Sequence, residues 1–226
     1  MTRVEQAIDF IRQLILEKKY DENGFLPPEG ELSNMLSLSR ITVREAVSTL
    51  EVRGFVERVH GRGIRVVDRT PQVMLQVLED LYAQGSITLN DIMEMRWMME
   101  PQIAGLAAVR VTSENLKEME RLVDYMDSCP KKTEEYLQAD FDFHKEIANA
   151  TENQLLKFVV SSLYGSLLRK SIYASSLSEE NAEVQYHYHR KILEALKKGD
   201  ADQTAQNMRE HLEVTERNLK TSIQDS

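Results

Sequence analysis

The 226-residue chain is predicted to be mainly α and to consist of two unlike parts. Residues 1–69 form three helices and a β-hairpin, and residues 70–226 form an antiparallel helical bundle. Three observations predict this. Apolar residues recur at helical spacing through almost the whole chain. Strand-like runs occur only around one tip that carries two glycines, His60-Gly61-Arg62-Gly63. Charge divides at the same place: residues 1–69 hold 11 basic and 11 acidic side chains, and the remainder holds 17 and 26, so it carries the whole net charge of −9.

In the first part, Val4, Ala7, Ile8, Ile11, Leu14 and Ile15 define the apolar stripe of an opening helix. Asn23-Gly24 and Pro27-Pro28 break the chain, and Pro28 suits the start of a short second helix, Glu29 to Leu36, with Leu32 and Leu36 inward. After a tight connection at Ser37-Leu38, Ser39 is placed to cap a third helix, whose buried stripe is Val43, Ala46, Val47 and Leu50. Gly54 ends it. A strand from Phe55 to Val59 and a return strand from Ile64 to Val67 complete the unit. Three helices and a hairpin in under 70 residues outline a winged helix-turn-helix.

With that stripe inward, Arg40, Thr42 and Arg44 lie on the solvent-facing N-terminal turns of the third helix. A helix that reads DNA presents its base-contacting side chains there. The tip, with His60, Gly61 and Arg62, is placed to reach the minor groove or the backbone. Between Arg40 and Arg69 there are seven arginines and four carboxylates, a local excess of positive charge inside an acidic protein.

Asp68-Arg69-Thr70-Pro71 reads as a short linker. Beyond it the spacing predicts helices throughout. Thr88 caps one that runs to Val109, and Pro101 should kink it or open one turn. Thr112 or Ser113 begins the next, which ends near Cys129-Pro130. Thr133 caps a helix to about Ala150. Others run from about Asn153 to Ser175, Glu180 to Lys198 and Ala201 to Ser222, with Gly199 as a stop and Asp200 with Gln203 as a capping start.

Polar residues interrupt three of these apolar stripes. The Thr133 helix turns Leu137, Phe141, His144, Ile147 and Ala148 inward, with Asp140 one turn before His144. His189 shares a face with Ile192, Leu193 and Leu196. His211 shares one with Ala201, Thr204, Ala205, Met208, Leu212 and Thr215. Burying one carboxylate and three imidazoles is costly unless they pair or hold a metal. Such a set suits Zn, Ni, Mn or Fe without choosing among them. His187 falls about 200° round its helix from His189 and faces elsewhere.

The single cysteine, Cys129, excludes an internal disulfide and a multi-cysteine zinc site. No apolar run approaches the roughly 18 residues of a membrane span, and the charged N-terminus lacks a secretory signal. A cytoplasmic protein with no membrane partner is expected.

The stretch LPPEGELSNMLSLSRITVREAVSTLEVRGFVERVHGRGIRVV resembles the DNA-binding domain of GntR-type bacterial transcription regulators. The resemblance implies that Arg40, Thr42 and Arg44 contact DNA, with His60 and Gly61 in the wing. Two positions depart from the usual pattern: Gly30 stands where Arg is usual, and Ile41 where a small residue is common. DFDFHKEIANATEN and HRKILEALKKGDADQTAQNMREHL resemble the effector (FCD) domain of the FadR-type branch of that family. This second resemblance implies that Asp140, His144, His189 and His211 hold a divalent metal, Zn being the first expectation. It further implies that Arg96 presents a cation to a small carboxylate effector. The expected function is a ligand-responsive regulator, a repressor, that binds a pseudo-palindromic operator as a homodimer. The alternatives are a metal-dependent enzyme acting on a small organic acid, for which no cofactor loop or second base is visible, and a metal-free sensor of acyl-CoA type.

Overall fold

A computed structural model describes residues 1–130, 133–163 and 179–224. The chain divides into two compact units, Met1–Gln76 and Val77–Ser226.

The first unit holds α1 (Arg3–Leu16), α2 (Glu29–Leu36), α3 (Arg40–Val52), β1 (Val56–Val59) and β2 (Gly63–Val66). Thr2 and Glu5 form a capping box at the start of α1. Ser39 accepts the Thr42 N–H at the start of α3, as expected. The inward residues are those the periodicity selects: Ala7, Ile8, Ile11, Leu14, Leu32, Val43, Ala46, Val47 and Leu50 are buried, and Val56 and Ile64 of the hairpin close the core. Burial of such side chains stabilises the fold by roughly 1.5–3 kcal/mol each for the larger ones. The hairpin is antiparallel, with Val56 opposite Val66 and Val59 opposite Gly63. The connection after α1 adds to its free edge, since Leu26 N–H donates to Ile64 C=O (2.9 Å) and Val66 N–H donates to Gly24 C=O (2.8 Å). Gly54, at φ +80°, has no substitute, because a Cβ there would lie 2.8 Å from the Arg69 carbonyl carbon.

The expected linker at Asp68-Arg69-Thr70-Pro71 is corrected by the structure, because Thr70 opens a helix, α4 (Thr70–Ala83). Proline in a first turn loses no helical hydrogen bond, since its N–H would have lacked an acceptor. Just before α4, the Asp68 carboxylate accepts from the N–H and the hydroxyl of Thr70. The boundary between the two compact units falls within α4.

The second unit continues with α5 (Leu89–Ala108), α6 (Ser113–Ser128), α7 (Glu134–Ala150), α8 (Gln154–Leu163), α9 (Glu179–Lys197) and α10 (Ala201–Gln224). Thr88, Thr112 and Thr133 cap α5, α6 and α7 as expected. Pro101 does not end α5, which runs through it unbroken. Of the helix expected from Asn153 to Ser175, the part beyond residue 163 lies outside the described residues. Helix α5 packs along α10, α9 packs on α10 and α6, and α7 packs on α5, α6 and α8. This arrangement brings one face each of α5, α7, α9 and α10 to a common interior. Among the described residues no helix is long and apolar enough to cross a membrane.

Candidate nucleic-acid interface and metal centre

On the first unit, Arg40 and Arg44 are exposed at the start of α3, and Thr42 is half-buried with its Oγ1 2.9 Å from Ser39 Oγ. Ile41 is 75% exposed between them, an apolar side chain offered to solvent. His60, Gly61 and Arg62 form the hairpin tip and are exposed. Gly61, at φ +71°, has nothing within 4 Å of the position a Cβ would take. The Arg62 guanidinium lies 4.9 Å from the centre of the Phe25 ring, a cation–π contact that steadies the wing.

The seven arginines between 40 and 69 are not equivalent. Arg44 Nε donates to Glu29 at 2.7 Å. Arg58 bonds Glu51, the Ser48 hydroxyl and the Arg44 carbonyl, which ties β1 to α3. Arg65 and Arg69 share Glu57. Among the described residues Arg40, Arg53 and Arg62 have no carboxylate partner, so the local excess of charge resides in these three. The role of Glu29 in holding Arg44 was invisible to sequence reasoning, because the two residues stand on different helices.

In the second unit, Asp140 and His144 come from α7, His189 from α9 and His211 from α10. One donor atom from each lies within 4.8 Å of all the others. The three imidazoles are buried, and the Asp140 side chain is 30% exposed, at the rim. The ring centres of His189 and His211 are 4.6 Å apart, and those of His144 and His211 are 5.1 Å apart. His187 is exposed and stands apart, as expected. The wall of the cluster departs from the expectation: Phe143, not Phe141, is the buried phenylalanine, with its ring 5.2 Å from that of His189. Phe141 is only half-buried and lies beside the Lys145 ammonium. The buried face of the helix runs through Tyr136, Ala139, Phe143 and Ile147 beside Leu137, His144 and Ala148, and Phe141 falls at its edge.

Burial disfavours the charged form of His189 and His211. Burial lowers the pKa of His211 well below the ordinary value, reinforced by its two imidazole neighbours. Burial also lowers that of His189, against the opposing pull of Asp140. Burial raises the Asp140 carboxyl, but its pairing with His189 and the surrounding imidazoles outweigh this and hold it below the usual carboxylate range. Asp140 Oδ1 stands 2.9 Å from His189 Nε2, yet off the line along which that nitrogen could donate. Both nitrogens of His189 and Nδ1 of His211 are buried without a hydrogen bond in the structure. Unsatisfied buried nitrogens cost roughly 1–3 kcal/mol each. Three imidazoles converging with a carboxylate are a donor set suited to a divalent transition metal.

Arg96, expected to face an effector, is 4% exposed on α5 and bound by Glu100 through Nε and Nη2. Glu100 is buried as well, and its Oε2 lies 3.0 Å from His144 Nδ1. Burial raises the Glu100 carboxyl, and Arg96 and His144 together more than reverse this. Glu100 does not stand out in the sequence. The signal that could have revealed it is the i,i+4 pairing of Arg96 and Glu100 beside Pro101 on a helix buried on several sides.

A winged helix-turn-helix unit and a helical domain with a buried polar cluster are together the organisation of a transcription regulator. The comparisons agree. Residues 3–66 match the family of bacterial regulatory proteins, gntR family, and residues 91–214 match the FCD domain. The chain belongs to the GntR family and carries an FCD domain, a family of transcription regulators rather than enzymes. It is 29% identical to the Uxu operon regulator of Haemophilus influenzae over 217 residues, covering 94% of this chain and 79% of that one. It is 25% identical to the galactonate operon transcriptional repressor of Escherichia coli over 229 residues, covering 97% and 98%. Among solved structures, the Streptococcus agalactiae GntR is similar at a TM-score of 0.76 and 27% identity, covering 95% of this chain and 99% of that one.

Proposed function

We propose that the protein is a repressor that binds a pseudo-palindromic operator as a homodimer in the cytoplasm, and that a small carboxylate bound at a metal in the helical domain modulates its affinity for DNA. The observation that carries the reading is the convergence of Asp140, His144, His189 and His211 from three helices, with buried nitrogens that have no hydrogen bond. With Nδ1 of His144 turned to Glu100, its Nε2 is the nitrogen left to face an ion. A bound divalent ion, Zn first and Ni, Mn or Fe as alternatives, supplies a Lewis acid with positions open to a carboxylate oxygen.

The chain's own residues do the rest. Glu100 orients His144 and makes it a better donor. Arg96 neutralises Glu100, and its planar fork is proposed to offer hydrogen-bond donors to the acid as well. The relative named for galactonate supports a sugar acid as the class of effector. On the first unit, Arg40, Thr42 and Arg44 are proposed to enter the major groove, with His60, Gly61 and Arg62 on the adjacent groove or backbone.

The test is selection of sites from random duplex DNA, followed by affinity measurements with and without Zn and a panel of sugar acids. A selected two-fold site released by one acid only in the presence of metal supports the reading. Binding that ignores sequence, metal and every acid overturns it.

A further inference from the structure

Gly30 lies in the first turn of α2, and the guanidinium of Arg40, from the first turn of α3, rests against it. A Cβ added at Gly30 would lie 3.2 Å from Nη2, 3.5 Å from Cζ and 3.7 Å from Nε of Arg40. The backbone does not require glycine here, because Gly30 is not among the residues with positive φ. Within a helix, glycine is less favourable than alanine. What glycine contributes is room, and the Arg40 side chain fills it. Arg40 also makes no hydrogen bond or ion pair among the described residues, whereas Arg44 is held by Glu29. Its placement therefore depends on the space left by its neighbour rather than on a carboxylate.

We propose that Gly30 is a specificity-determining residue of the DNA-binding head, acting as a positioning residue for Arg40. Its missing side chain seats the Arg40 guanidinium at the junction of α2 and α3, and so sets which base edge Arg40 reads. The planar fork of arginine reads a base by paired hydrogen bonds, so its direction decides its preference. Alanine at position 30 asks the guanidinium to give by a few tenths of an ångström, because 3.2 Å is tighter than an ordinary contact. Leucine grows along the same direction and turns the guanidinium out. This inference rests on the reading that α3 enters DNA.

The test is a double-mutant cycle on the full chain. The wild type, Gly30→Ala, Gly30→Leu, Arg40→Ala and the two combined variants each select sites from a random duplex pool. Their affinities are then measured for the wild-type site and for an unrelated duplex of equal length, alongside thermal unfolding. Gly30→Leu is expected to lose about tenfold on the wild-type site, the scale of one base contact, and to change the preferred base at the position Arg40 reads. In the Arg40→Ala background it should cause no further loss. Gly30→Ala should show a smaller shift in preference while unfolding at the same or a higher temperature, an outcome that a purely structural role does not produce. Equal losses with and without Arg40, or an unchanged preference in both Gly30 variants, would overturn this proposal alone. A wild type that selects no sequence overturns the DNA-reading premise and the proposal with it.

Discussion

Glu100 Oε2 lies 3.0 Å from His144 Nδ1, and both side chains are buried. A carboxylate behind a ligating imidazole fixes its tautomer and raises its basicity, and loss of such a partner weakens metal binding about 10- to 100-fold. Glu100→Gln is expected to lower Zn affinity by that factor in a competition titration with a chromogenic chelator. It also breaks the buried Arg96–Glu100 ion pair, and removing one partner of such a pair costs about 3–5 kcal/mol, so the titration belongs well below the variant's unfolding temperature. Unchanged affinity would separate Glu100 from the metal centre.

Metal removal should destabilise the native state, because an ion bound to N and not to U stabilises by linkage. Stripping the tag-free protein with a strong chelator is expected to lower its thermal midpoint by several degrees, roughly the effect of 1–2 kcal/mol for a domain of this size. Added divalent metal should restore it. The same midpoint in a demonstrably metal-free sample would make the cluster a packed polar core.

The arginines of the first unit should divide by their position on the helix start, the tip or the strand, together with their partners. Arg44→Ala is expected to weaken binding to the selected site about tenfold, at the scale of a base or charged contact. Arg62→Ala should weaken binding to every duplex alike and reduce the slope of log K against log salt by about one. Arg65, already engaged by Glu57, should change that slope little when replaced by Ala. Salt titrations of the three variants check this directly.

His189→Ala should separate the two units in function. Its side chain is buried among metal-ligand candidates, far in sequence from the first unit's reading face. DNA affinity without effector is expected to stay within about threefold of wild type (about 0.6 kcal/mol), while release by a sugar acid is blunted at least tenfold. Electrophoretic mobility shifts across an acid titration measure both, and release at the wild-type concentration would remove His189 from effector binding.

Much of the molecule was legible beforehand because its signals are local. The Ser39 cap, the stripe of Val43, Ala46, Val47 and Leu50, and the two-glycine hairpin tip each depend on neighbours within a few residues, and each appears in the structure where it was expected. Asp140, His144, His189 and His211 stood out for the same reason, as polar residues on apolar stripes. Helix α4 is not legible in the sequence because Thr70-Pro71 reads equally as a break or as a first turn. Phe143 rather than Phe141 is buried because the interior face of α7 also takes in Tyr136 and Ala139, which precede it at helical spacing.

The sequence by itself determined most of the helices, the hairpin, the stripe and cap of α3 and the four candidate ligands, which follow from periodicity, capping and polar residues on apolar stripes. Only the tertiary structure decided which charges meet. It placed Glu29 on Arg44, Glu100 between Arg96 and His144, and the Arg40 guanidinium in the space left by Gly30. The reason is physical. Periodicity tells which way a side chain points from its own helix, but an ion pair or a steric seat depends on what the facing helix presents at the same height, and packing alone sets that register.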